Sequence, residues 1–277
     1  MNHLNIPKEI AERAANFAGR TWLLDEVLAW AEQDDGRFLV LSGEPGSGKT
    51  ALSAWLLGAG PLPDDPAARQ KLDRVRQLWG AAHFCVARTG SLDPATFAES
   101  LARQLSHHNP DFAEAVVVHN DPTIQLQLQQ EVRQNWGTIV GVNIENFVVS
   151  TNPRDGYNRL VRQPLQLLAA RKPNLRLFIL VDALDEALTY GDPNVFTLLL
   201  ESADLPPSVR FLVTTRNISQ VLNKFPPESR YDLSAAAYAG QANDDIAAYV
   251  RRWLSQPAAA GARPELSEAM VEQIVAR

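Results

Sequence analysis

A chain of 277 residues, 45% hydrophobic and 21% charged, holds enough apolar material for a full core. Its net charge of -6 and pI near 5.4 argue against a free-standing nucleic-acid binder, whose surface is usually basic. The single cysteine, Cys85, excludes an internal disulfide; residues 1–12 lack an apolar signal core, and no run is long enough for a membrane helix, so the expected location is the cytoplasm, away from membranes.

Residues 6–16 read as a short helix starting at Pro7, interrupted by Phe17-Ala18-Gly19-Arg20. Thr21 suits the N-cap of a second helix to 33, with Trp22, Leu23, Val27 and Trp30 at helical spacing. A buried strand is expected over 37–42, then a glycine-rich loop, then helices over 49–57 and 67–78. A second core strand is expected over 81–87, where Cys85 reads as a buried thiol. Helices follow from Asp93-Pro94 to 106 and over 123–135, and alternation over 138–149 predicts an inserted hairpin or edge strands. Helix returns over 157–170, and the strongest strand spans 175–181. A helix over 194–201, strands over 209–214 and 229–233, and helices over 244–254 and 264–276 complete the chain, with 256–261 as a connection. Alternating strands and helices predict a parallel sheet covered by helices.

Gly43-Glu44-Pro45-Gly46-Ser47-Gly48-Lys49-Thr50 carries the spacing of a P-loop. Glycines let the backbone wrap so that successive N–H groups point at phosphate oxygens, and the following helix directs its positive dipole end there. In this reading Lys49 reaches the β- and γ-phosphates of ATP, or of GTP, and the Thr50 hydroxyl ligates Mg²⁺. The cation also needs a carboxylate at a neighbouring strand end, and Asp182 ends the apolar run Leu177-Phe178-Ile179-Leu180-Val181. Either Asp185 or Glu186 can orient or deprotonate the attacking water. Arg216, just past the strand over 209–214, stands where a cation can sense the γ-phosphate. His107-His108 suits a helix end, and Trp22, Trp30, Trp55 and Trp79 read as core.

The run Asp182-Ala183-Leu184-Asp185-Glu186 resembles the Walker B signature of the NACHT family, signalling NTPases of the STAND class related to AAA+ proteins. On those family grounds Asp185 is preferred for the water. Phe17-Ala18-Gly19-Arg20 resembles that family's element near the base and ribose, and Asp245-Ile246 resembles the start of its small helical domain. The resemblance spans 17–254 and implies a three-layer α/β/α P-loop fold, ASCE/AAA+-like, with a mainly parallel sheet and the start of a small helical domain. The corresponding division is a helical lead-in over 1–36, an NTPase core over 37–235 with a β insertion near 135–150, and a helical segment over 236–277. The implied function is a switch, closed with ADP and self-associating with ATP, that hydrolyses slowly and serves signalling or bacterial antiviral defence through a trigger and effector the residues do not identify. The family continues into a winged helix and repeats, so a chain stopping at Arg277 is expected to be a fragment or a minimal form. Competing expectations are an AAA+ ATPase acting on DNA, of origin-recognition or loader type, which the acidic balance disfavours; a kinase, for which no Arg-rich lid pattern is evident although Arg154, Arg159 and Arg162 keep it open; and a nucleotide-binding scaffold with negligible turnover.

Overall fold

The computed structural model describes residue 4 and residues 6–33, 36–120 and 152–255. The expected elements over 123–135, 138–149, 256–261 and 264–276 lie outside these described residues. Five strands make one sheet: β1 (Phe38–Ser42), β2 (Trp79–Phe84), β3 (Leu177–Asp182), β4 (Val209–Thr215) and β5 (Arg230–Asp232). Their order is β2-β3-β4-β1-β5 and every pairing is parallel.

Strands β2, β3 and β4 are buried along their whole length, which explains their near-continuous apolar runs: both faces of a parallel sheet must be covered. Alternation sorts the side chains. Leu39, Leu41, Phe178, Leu180 and Leu212 face one core cluster; Val40, Ile179, Val181, Phe211 and Val213 face the other. In β2 a register irregularity between Trp79 and Ala81 breaks this parity, so that the two fall in opposite clusters.

The first layer holds α1 (Lys8–Arg13), α2 (Leu23–Glu32), α3 (Lys49–Leu56) and α4 (Pro66–Arg76). The second holds α5 (Pro94–His108), α6 (Pro110–Asn120), α7 (Pro153–Tyr157) and α8 (Gln163–Arg171), the last two joined by the π turn Asn158–Arg162. It continues with α9 (Val195–Leu200) and α10 (Ser219–Leu222); α11 (Ala239–Ser255) follows β5. Asp65, Asp93 and Asn152 each cap a helix that opens with proline, a residue whose missing N–H costs nothing at that position.

The structure corrects several boundaries. Helix α2 starts at Leu23 without a side-chain cap from Thr21, and β2 starts at Trp79 and ends at Phe84, earlier than the apolar run suggested. Helix α6 was absent from the sequence reading. Its Val116-Val117-Val118 run is β-branched, a strand preference that packing overrides here: Phe112, Ala113, Val116 and Val117 are buried, and the Asn109 side chain accepts from the N–H groups of Asp111 and Phe112.

From β1 the chain crosses through α3 and α4 to β2 at the sheet edge, returns through β3 and β4, and passes beyond β1 to β5. The exits of β1 and β4 feed opposite layers, since α3 belongs to one core cluster and Val221 of α10 to the other. Such a switch point opens a crevice between the carboxyl ends of adjacent strands. The opposite edge is closed by cations. Arg210, 3% exposed, donates to the carbonyls of Trp30 (2.6 Å) and Gln33, and Arg176 donates to that of Ala31 (2.7 Å), capping the negative end of α2. Among the described residues no helix is long and apolar enough to cross a membrane.

Candidate functional site

The segment between β1 and α3 turns tightly at the carboxyl edge of the sheet. The Ser47 N–H donates to the Glu44 carbonyl (3.1 Å), and Gly46 and Gly48 take φ values of +83° and +80°. Nothing lies within 4 Å of where a Cβ would sit on either residue, so backbone conformation, and not space, demands glycine there. The Lys49 ammonium folds over this turn and donates to the carbonyls of Gly43 (2.7 Å) and Glu44 (2.9 Å) and to the Ser47 hydroxyl (3.1 Å). Burial lowers its pKa; Asp185 and Asp182 oppose that, while Arg216 and Arg20 add to it. The ammonium is thus the meeting point of two acids and two further cations.

Asp182, 1% exposed, is the last residue of β3. One carboxylate oxygen, Oδ1, accepts from both the Ser53 hydroxyl of α3 (2.6 Å) and the Thr214 hydroxyl of β4 (2.7 Å). Burial pushes its pKa up, opposed by the hydroxyls of Ser53, Thr214 and Thr50 and by the charge of Lys49. Strand β4 lies between β1 and β3, so the acid stands one strand end away from the glycine turn; Thr214 ties it to β4 and Ser53 ties it to the helix that follows the turn.

Beyond Asp182 the chain reverses through Ala183, which takes φ +55° and donates its N–H to Thr214 Oγ1 (2.8 Å). A short 3₁₀ turn, Leu184–Thr189, follows. It places Asp185 inward, 7% exposed, where it accepts from the Arg216 N–H (3.0 Å) and pairs with the Arg216 guanidinium (3.2 Å). Glu186 accepts from the Ala87 N–H (3.1 Å) and reaches Arg216 more loosely, at 3.9 Å. The two carboxylates therefore differ: Asp185 is bound to the β4 exit and Glu186 mainly to the β2 exit. Cys85 beside them is buried, and burial together with the charges of Asp182, Glu186 and Asp185 pushes its thiol pKa up, which keeps the thiol protonated and unreactive.

Arg20 approaches the glycine turn from outside and donates through Nη2 to the Ser47 carbonyl (2.7 Å). Phe17 packs against Trp55 of α3, ring centroids 5.0 Å apart, at the margin of the first-layer core. Among the described residues the only non-glycines with positive φ are Arg20 and Ala183, and both sit here; such strain persists where surrounding contacts over-determine it. The sequence-selected residues Lys49, Thr50, Asp182, Asp185, Glu186, Arg216 and Arg20 thus converge on one sheet edge. Sequence reasoning missed Ser53 and Thr214, and named Asp245 only as part of a helical domain, with no role at the site. The first two are single hydroxyls with no pattern of their own; Asp245 lies far along the chain. A groove of 700 Å³ lined by Arg176, Arg210 and Pro206 lies at the opposite edge, and the titratable cluster is absent from it.

Gly19, φ +81°, tests how tightly Asp245 is held. An added Cβ would fall 2.4 Å from its Oδ1 and 2.7 Å from its Cα. Gly19→Ala is expected to destabilise the protein by about 2–3 kcal/mol, through strain and clash together. Thermal melting checks this; a melt unchanged from wild type would mean that the contact is not formed in solution.

Fold and site together define a parallel α/β protein with a glycine turn, a lysine and a buried acid at the switch point of its sheet. Residues 19–151 match the family model for the N-terminal region of nephrocystin 3. The match covers just under half of the chain and ends before β3, so Asp182, Asp185 and Arg216 lie beyond it. No curated protein matches the chain.

Proposed function

We propose that the chain is a Mg²⁺-dependent P-loop nucleoside triphosphatase acting as a NACHT-type switch. The observation that carries this reading is the convergence of Lys49 on the glycine turn with the buried Asp182 across the end of β4. Thr50 and Asp182 would hold Mg²⁺, which would supply charge neutralisation at the phosphates. Lys49 and the turn amides bind the polyphosphate of ATP or GTP. Asp185 orients the attacking water, and Arg216, held by Asp185 and half exposed, is free to move onto charge at the γ-phosphate. The partial match to the nephrocystin 3 N-terminal model and the likeness of Asp182-Ala183-Leu184-Asp185-Glu186 to a Walker B signature support the switch reading, in which turnover is slow, ADP is retained and the ATP state self-associates.

Single-turnover hydrolysis of ATP and of GTP tests the enzymatic part. Wild type is expected to hydrolyse slowly, and Asp185→Asn, which keeps an acceptor for the Arg216 N–H, to lose about a hundredfold in rate with little change in affinity. Equal rates for the two proteins would remove Asp185 from the chemistry, and a wild type that binds without turnover would reduce the chain to a scaffold.

A further inference from the structure

The proposed site uses the glycine turn, β3 and β4, but one part-buried carboxylate belongs to none of them. Asp245 of α11 is inserted between Gly19, Arg20 and Trp22. Its Oδ1 accepts from the Arg20 N–H at 2.5 Å, and its Oδ2 accepts from Trp22 Nε1 at 3.4 Å and lies 3.6 Å from Arg20 Nε. Only a residue without a Cβ leaves room for it, as the closeness of Gly19 shows. Arg20 and Asp245 are 14% and 15% exposed, so this pair is far better shielded than the surface ion pairs of the chain. The other end of the same guanidinium grips the Ser47 carbonyl, between the two left-handed glycines. Its third nitrogen, Nη1, is buried without a hydrogen-bond partner among the described residues.

We propose that Asp245 is a positioning residue for polyphosphate binding: it fixes the Arg20 guanidinium against the back of the glycine turn, and so sets the turn for a nucleoside di- or triphosphate. The inference rests on the nucleotide-binding reading and assigns to that site a residue from outside the sheet. The physical reason is orientation. The guanidinium donates to the Ser47 carbonyl at 2.7 Å, while the carboxylate accepts from the Arg20 main-chain N–H and sets its charge 3.6 Å from Nε; without it the main chain loses that anchor and the cation its compensating charge. The Asp245–Arg20 contact thereby joins helix α11 to the turn.

The test measures affinity for fluorescent ATP and ADP analogues and for inorganic tripolyphosphate, on the full chain, with melting temperature recorded for each variant. Asp245→Asn keeps the volume and an acceptor and removes the charge; it is expected to weaken all three probes about tenfold. Arg20→Ala is expected to weaken them at least as much, and the double variant no more than Arg20→Ala alone. Trp22→Phe removes the other donor to Asp245 and keeps a ring to stack on Tyr238, whose centroid is 4.8 Å away. It is expected to bind all probes as wild type does. Affinity unchanged in Asp245→Asn, additive losses in the double variant, or an equal loss in Trp22→Phe would each overturn the proposal, the last by showing that helix docking alone matters. Those results leave nucleotide binding itself standing; a folded wild type that binds none of the probes would defeat both.

Discussion

Lys49→Ala is expected to lose nucleotide affinity by at least a hundredfold, about 3 kcal/mol, while melting close to wild type in the absence of ligand. The asymmetry follows from what the ammonium touches. In the folded protein it serves the carbonyls of Gly43 and Glu44 and the Ser47 hydroxyl; the Glu44 contact is exposed, so water can take its place there. Burial also opposes its charge, so deleting it relieves a desolvation cost that offsets part of the lost hydrogen bonding. A polyphosphate has no such substitute. Charge-assisted bonds to phosphate are among the strongest a side chain makes, and the turn amides cannot replace a full positive charge. Melting with and without ligand gives a second readout. At a hundredfold excess over Kd a ligand stabilises by about 2.7 kcal/mol, and a domain of this size gains roughly 2–4 °C per kcal/mol. Wild type should show that upward shift and Lys49→Ala should not. An ATP titration that superimposes on wild type would refute the phosphate-binding reading.

Asp182→Asn is expected to stabilise the nucleotide-free protein at pH 7 and to impair its response to Mg²⁺. Burial raises the Asp182 pKa above its ordinary value of 3.8. Between that value and the raised one, the folded protein keeps a proton that the unfolded chain has released. The stability this group contributes is therefore present below the ordinary value and is lost as pH rises through the folded value. Asparagine never ionises, so the variant escapes that loss. Because the Ser53 and Thr214 hydroxyls share a single oxygen, the amide oxygen can keep both. The variant should melt above wild type at pH 7, with the difference shrinking toward acid pH. The same change removes the charge that would hold the cation, and Mg²⁺ should be needed at tenfold or higher concentration to support ATP binding. A variant that melts below wild type at pH 7, or an identical Mg²⁺ titration, would count against this role. On this reading stability and function would oppose one another at Asp182, as they do where an active site retains an unfavourable charge.

Much of the architecture was legible before any coordinates. Buried strands at 38–42, 177–182 and 209–215 announce themselves because a sheet covered on both faces needs uninterrupted apolar runs, and those runs end where the polar site begins. The glycine turn was equally plain, since Gly46 and Gly48 occupy a backbone region that other residues enter only with strain. Helix α6 was not legible: three consecutive valines favour a strand locally, and only packing against α5 and α8 makes a helix the better choice.

Local chemistry by itself determined where the turn, the lysine and the acids stand along the chain, because each depends on a few neighbouring residues and on backbone conformations open to them. Only the tertiary structure decided their partners. Asp185 rather than Glu186 holds the Arg216 N–H, Thr214 bridges to Asp182 across the end of β4, and Arg20 joins Ser47 to Asp245. The Arg20–Asp245 contact joins residues 225 positions apart. Contacts of that span are set by strand order and by the layer into which each crossover packs, and both emerge from competition for a shared core that no short stretch of residues encodes.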